Sequence, residues 1–127
     1  MSKNQLQSTS DSSSDSNFQK IVAAFKKVAS DINRVQYIVT TSLFGTDIYK
    51  LTEYNSKNVS RIASQADKGI LGLEEVVLMT KEIKNLALLT AEAKSHNPLI
   101  PDQLTTALNT TVTSANQALE VTRKVLE

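Results

Sequence analysis

The amino-acid sequence predicts an all-α protein: an antiparallel up-and-down bundle of four helices preceded by a disordered, Ser-rich N-terminal arm. Apolar residues recur at three- and four-residue spacing along most of the chain, a spacing that keeps them on one face of a helix. The three glycines and two prolines lie where those helices would end. At 127 residues, with 40% hydrophobic and 21% charged side chains, the chain can bury a core without disulfides or metal.

The arm is predicted over residues 1–16, which contain a long Ser-rich run and almost no apolar side chains. Such a segment cannot bury enough apolar surface to offset its ordering entropy, so we expect one bundle domain over residues 17–127. Ser8 and Ser12 each precede an aspartate by three residues, a spacing that an acid-directed kinase could use. Phosphorylation would add roughly 1.5–2 negative charges per site. The alternative is a plain solubilising tail.

The first helix is predicted from a capping box at residues 16–19 to about Phe44. Gly45 would end it in the left-handed conformation, and Thr46 or Asp47 would cap the next helix, so the two helices must be antiparallel. Its apolar residues keep a heptad spacing that is typical of coiled-coil packing: Phe18, Ile21, Phe25, Val28, Ile32, Val35 and Val39.

The stretch from Asp47 to Ala93 admits two interpretations. In the first, Gly69 ends the second helix in a Schellman motif and a new helix starts after Gly72. In the second, one helix continues through both glycines, because seven-residue spacing persists across them at Val59, Ala66, Leu73 and Thr80. An unbroken helix would be about 73 Å long against about 41 Å for the first helix, leaving half of it unpacked. Length therefore favours a break near residues 68–72, and four helices rather than three.

The third helix, from about Leu73 to Lys94, is apolar on two sides. At 100° per residue, one side carries the expected core residues and the other carries Leu71, Leu78, Glu82 and Leu89. Such a helix is either central in its bundle or has an external partner. If this helix has an external partner, these four residues form the partner-binding surface.

A proline-containing loop over residues 95–102 leads to the fourth helix, which is predicted from Asp102 to Leu126. Leu99 and Ile100 are expected to tuck under the end of the bundle. The start of this helix is rich in threonine, which has a low intrinsic helix propensity. Tertiary contacts must hold it helical, so we expect the fourth helix to be the least stable.

No motif in the sequence carries recognisable catalytic or cofactor chemistry. There are no cysteines, the glycines form no phosphate-binding loop, and His96 is the only histidine. A metal site in a helical bundle needs several Glu and His ligands on facing helices, and this chain offers one Glu-x-x-x-His pair at a helix end. We therefore predict no catalytic residues, no cofactor and no metal. The tyrosines, Tyr37, Tyr49 and Tyr54, are interpreted as half-buried packing residues.

Charge and hydropathy exclude two further classes of protein. The net charge is +1 and the basic residues are spread along every segment, whereas nucleic-acid binders cluster them on one face. No apolar run approaches the ~20 residues that span a bilayer, and the first residues lack a signal-peptide core. The expected location is cytoplasmic, an inference that holds only if the chain is not a fragment.

Three partial resemblances accompany this pattern. The segment Leu43-Phe-Gly-Thr-Asp47 after a heptad helix resembles the first helix junction in the N-terminal domain of syntaxins, although no SNARE helix follows here. The overlapping segment from Phe44 to Leu51 resembles fungal hydrophobic-surface-binding and lipid-binding mannoprotein domains, which are secreted proteins. The small residues of the fourth helix resemble those of talin-rod and vinculin bundles. None of the three covers enough of the chain to assign a family.

The function predicted from these observations is that of a non-enzymatic interaction module. It would bind a partner protein, or a second copy of itself, through the apolar face of the third helix. The alternative is a small lipid or fatty-acid carrier that uses an aliphatic cavity between the helices.

Overall fold

The computed structural model describes residues 12–126 and shows four α-helices in an antiparallel bundle. The helices are α1 (Ser12–Ser42), α2 (Asp47–Asp67), α3 (Leu73–His96) and α4 (Asp102–Leu126). Helix α1 packs against α2 and α4, and α3 packs against the same two helices, so α1 and α3 lie on a diagonal. The predicted fold class and the number of helices are confirmed. Helix α3 occupies a corner of the bundle, so the interpretation that placed it at the centre is wrong.

The core is aliphatic and lies between all four helices. Among the described residues, Phe25 is the one aromatic side chain that is fully buried there. The predicted heptad row of α1 lines one wall, with Phe18 half-buried at its beginning. The largest side chains that are fully buried come from every helix and from the α2–α3 connection: Ile21, Phe25, Ile32, Ile62, Leu71, Met79, Ile83, Leu86, Leu104 and Leu108.

Helix α1 begins at Ser12, four residues before the predicted cap. Ser16 therefore lies inside the helix, and the predicted capping box is wrong, whereas the domain boundary at residue 16 stays a prediction. The reason is that Ser costs only roughly 0.5 kcal/mol per residue relative to Ala in a helix, which does not stop a helix by itself. The rest of the predicted arm, with Ser8, lies outside the described residues, and Ser12 is the first residue of α1.

The turn between α1 and α2 follows the sequence prediction closely. Helix α1 ends at Ser42, two residues before the predicted end, and Gly45 adopts a left-handed conformation with φ of 84°. Thr46 is the N-cap of α2, because its Oγ1 accepts a hydrogen bond of 3.2 Å from the backbone N–H of Tyr49.

The break between α2 and α3 is a Schellman motif centred on Gly69, whose φ is 73°. The N–H of Ile70 donates to the carbonyl of Gln65 at 3.0 Å, and the N–H of Gly69 donates to that of Ala66 at 3.1 Å. Helix α3 then starts at Leu73, after Gly72 as its N-cap. The prediction of a break over residues 68–72 is confirmed.

Helix α4 contributes ten buried residues, including Thr111, Ser114 and Thr122. Each hydroxyl is satisfied within the helix: Thr111 donates to the carbonyl of Ala107 at 2.8 Å, and Thr122 to that of Ala118 at 2.7 Å. The methyl groups of these threonines are thereby free to pack in the core. That α4 is the least stable helix stays a prediction.

The loop before α4 matches its prediction only in part. Ile100 is buried under the bundle end, but Leu99 is 84% exposed. The difference arises because Asn97 Oδ1 accepts a hydrogen bond from the N–H of Leu99 at 3.0 Å, in a turn that directs only Ile100 inward.

Candidate interaction surface

Helix α3 presents three leucines to solvent, although it also contributes several side chains to the core. Leu78 is 54% exposed, Leu88 is 70% exposed and Leu89 is 39% exposed. The position of α3 at a corner of the bundle explains this, because only α2 and α4 cover its sides. Single exposed leucines are ordinary, but Leu78 and Leu89, which share one side of the helix, form a candidate binding surface.

The structure removes one residue from the predicted surface. Leu71 is fully buried, so its inclusion is wrong. The prediction placed Leu71 on the same helical wheel as Leu78 and Leu89, which requires one continuous helix. Because α3 begins only at Leu73, Leu71 belongs to the connection and its side chain turns into the core.

The remaining predicted residues lie on the side of α3 that adjoins α2. Glu82 stands one turn after Leu78 and is half-buried. Its Oε1 accepts a hydrogen bond of 3.4 Å from the hydroxyl of Tyr54, which projects from α2 and is 55% exposed. This hydrogen bond, together with the negative charge of Glu82, raises the pKa of Tyr54 above its ordinary value. We call Tyr54, Leu78, Glu82 and Leu89 the α3 face.

A polar cluster borders the α3 face toward the Gly69 turn. Arg61 Nη1 of α2 lies 2.7 Å from Glu75 Oε2 of α3, and Arg61 Nη2 donates to Asn58 Oδ1 at 2.6 Å. Both members of the ion pair are about half exposed, and such pairs stabilise a fold by at most ~1 kcal/mol. The interface between α2 and α3 is also the least extensive of the four in the bundle.

Leu88 lies about 100° around α3 from Leu89, on the flank next to α4. It contributes to a shallow groove of about 340 Å³ that is mainly apolar and is lined by residues of both helices: Lys84, Ala87, Leu88, Ala91, Asn109 and Val112. Leu88 therefore does not belong to the α3 face, although both surfaces expose apolar side chains of the same helix.

The sequence missed Tyr54 and Leu88 as surface residues. Tyr54 and Tyr37 were interpreted as half-buried, but they are 55% and 71% exposed, and only Tyr49 is half-buried. The helical wheel of α3 could have separated Leu88 from the core. No local signal could have paired Tyr54 with Glu82, because that contact depends on the register between two helices.

Between Ser12 and Leu126, no group of three His, Asp or Glu side chains is arranged to hold a metal ion. His96 is the last residue of α3 and is exposed. Nearby, Lys94 donates a hydrogen bond to Asp102, and this bond and the positive charge lower the pKa of the Asp102 carboxyl. The pair joins α3 to the start of α4 and has the character of a surface ion pair.

None of the four described helices is long and apolar enough to cross a membrane. Comparison with protein-family models, with curated proteins and with solved structures gives no match. The candidate surface is therefore defined by the packing of this chain alone.

Proposed function

We propose that this protein is a non-enzymatic binding module that holds an amphipathic helix of a partner protein against the α3 face. The observation that supports the proposal is the exposure of Leu78 and Leu89 on one side of α3, beside the exposed ring of Tyr54, while other residues of the same helix are buried in the core. Exposed apolar side chains grouped on one element are typical of surfaces that bind another protein.

The spacing of the two leucines suits a helical partner. They lie eleven residues apart, which is about 16 Å or three turns along α3. An amphipathic helix lying alongside would place apolar side chains against both leucines, in the manner of helix-in-groove recognition. The ring of Tyr54 would flank that helix from the α2 side.

Glu82 supplies the polar part of the same surface. It lies between Leu78 and Leu89 along α3, and its carboxylate already accepts the hydroxyl of Tyr54. We expect the partner helix to carry a lysine or arginine opposite this carboxylate, since complementary charges at an interface fix the register. Glu82→Lys should then weaken binding without affecting the fold.

The test compares Leu78→Asp/Leu89→Asp with Tyr37→Asp, which also places an aspartate at an exposed apolar position, on α1. A photo-crosslinking amino acid at Asn85, an exposed position on α3, reports which molecule lies there. We expect wild type and Tyr37→Asp to yield the same protein adduct, and the α3 double variant to lose it while keeping its helical circular dichroism. An adduct that persists in the double variant would contradict the proposal.

Native mass spectrometry of the wild-type chain distinguishes a partner protein from two other ligands, a second copy of the chain and a lipid. A crosslink between two copies, with a dimer that the double variant loses, would make the partner a second copy of this chain. Extra mass of a few hundred daltons that vanishes on denaturation would replace the proposal with the lipid carrier. Within residues 12–126, the aliphatic side chains between the helices pack against each other in one core, which supports a binding module rather than a lipid carrier.

A further inference from the structure

The apolar pattern of α2 continues into α3 without a change of phase. Val59 and Ala66 of α2 are fully buried, Thr80 of α3 is buried, and Leu73 packs against the core. These four residues are seven positions apart from one another, a spacing that keeps side chains on one face of a supercoiled helix. The side chains alone would therefore permit one helix over residues 47–96.

The turn alone separates the two helices, and Gly69 is the residue on which the turn depends. Its φ of 73° lies in the left-handed region, which L-residues with a side chain avoid. The two Schellman hydrogen bonds, from Gly69 and Ile70, form only in this conformation. Gly72 follows with an ordinary φ of −103°.

The turn joins two hairpins, α1–α2 and α3–α4, that pack against each other. The hairpin of α1 and α2 and the hairpin of α3 and α4 each have extensive internal packing, as does the α1–α4 interface. The α2–α3 interface is the least extensive, and part of its edge is the exposed Arg61–Glu75 pair. The two interfaces between the hairpins, α1–α4 and α2–α3, could form equally well between hairpins of two chains.

We infer that this chain can exchange hairpins with a second copy, with α2 and α3 fused into one helix. The left-handed conformation of Gly69 favours the monomer over this exchanged dimer. In the exchanged dimer, the α1–α2 hairpin of each chain packs on the α3–α4 hairpin of the other. The contacts between the four helices are retained, and only residues 68–72 change conformation. The change costs the burial of Leu71, because the fused helix places it on the same side as the exposed Leu78 and Leu89. The fused helix gains hydrogen bonds between successive turns in place of the Schellman pair.

Replacing Gly69 and Gly72 with alanine should shift the equilibrium from the monomer to the exchanged dimer. Gly69→Ala disfavours the left-handed turn and favours the fused helix, because Ala is the better helix former. Gly72→Ala favours the helix without disturbing the monomer, since its Cβ would meet only Glu75 Oε1, at 3.9 Å. In the double variant, the destabilised turn and the stabilised helix both favour the dimer, and they do so in each of its two chains. We therefore expect the association constant of the dimer to exceed that of the wild type by at least about a thousandfold.

The experiment measures the mass of wild type, Gly69→Ala/Gly72→Ala and Gly69→Asn by light scattering after refolding at several concentrations. Asn tolerates the left-handed conformation, so Gly69→Asn should remain as monomeric as the wild type. The expected result for the double variant is a dimer with undiminished helical circular dichroism. A double variant that stays monomeric with native helicity would overturn the inference.

Crosslinking identifies the kind of dimer. The chain has no cysteine, so Arg61→Cys and Glu75→Cys can be introduced as the only thiols and joined by a short bis-maleimide. In the monomer the link forms within one chain, whereas in the exchanged dimer it joins α2 of one chain to α3 of the other. A denaturing gel should therefore show covalent dimers in the Gly69→Ala/Gly72→Ala background. Dimers without interchain links would also overturn the inference.

Two further variants test whether the dimer forms through the α3 face and provide an alternative if the double alanine variant does not fold. Hairpin exchange does not use the α3 face, so Leu78→Asp/Leu89→Asp in the same background should leave the covalent dimer intact; its loss would mean that the dimer forms through that face. If the double alanine variant fails to fold, Gly72→Ala alone provides the test. It should raise the dimer fraction severalfold, and an unchanged fraction would count against the exchange.

Discussion

Asn55 is a polar side chain in the core whose replacement should stabilise the protein. The residue is 3% exposed and lies on the inner face of α2. Its Nδ2 donates to the carbonyl of Leu51 at 2.9 Å, whereas its Oδ1 is buried and has no hydrogen-bond partner among the described residues. An unpaired buried acceptor costs free energy, because it loses water without gaining a donor.

Asn55→Val should raise the free energy of unfolding by up to about 2 kcal/mol. Removing the unpaired oxygen returns ~1–3 kcal/mol, and losing the Nδ2 hydrogen bond costs ~1 kcal/mol. The carbonyl of Leu51 can still accept the helical hydrogen bond from the backbone N–H of residue 55. Val and Asn have similar helix propensities, so the helix itself contributes little to the difference.

Urea unfolding followed by circular dichroism at 222 nm measures this change. With a slope of ~2 kcal/mol per molar urea, the midpoint should rise by up to roughly 1 M. Asn33→Val is the matched control, because Asn33 is exposed on α1, and its midpoint should correspond to a change within ~0.5 kcal/mol. A lower midpoint for Asn55→Val with native helicity would show that Oδ1 is bonded in solution, and would refute the reasoning.

Three other predictions concern the core and two surface pairs. Phe25→Ala should lower the free energy of unfolding by about 3–5 kcal/mol in the same urea assay, because the ring is fully buried. Ultraviolet titration should place the pKa of Tyr54 above its ordinary value, and Glu82→Gln should lower this pKa. The stability that the Tyr54–Glu82 hydrogen bond contributes should be lost as pH rises through the pKa of Tyr54. The carboxyl of Asp102 should titrate below its ordinary pKa by NMR, and its stabilising contribution should disappear as pH falls through that lowered value; Lys94→Met should restore the ordinary pKa.

The sequence by itself determined the helices and the turns between them. The heptad row of α1 and the positive φ of Gly45 and Gly69 follow from residues close together in the chain. The same holds for the Thr46 cap. Helical periodicity and the freedom of glycine at positive φ are local properties, so they can be read without knowing what packs against them. Ser16 was misplaced because several neighbouring serines could equally well precede the helix.

The tertiary structure alone decided which apolar residues are exposed. Leu71 and Leu78 look equivalent on a helical wheel, yet one is fully buried and the other is half exposed. Likewise, the register between α2 and α3 brings Tyr54 to Glu82 from positions 28 residues apart. These outcomes depend on which helices are neighbours and on the register between them. That arrangement minimises the exposed apolar surface of the whole chain rather than of any one segment.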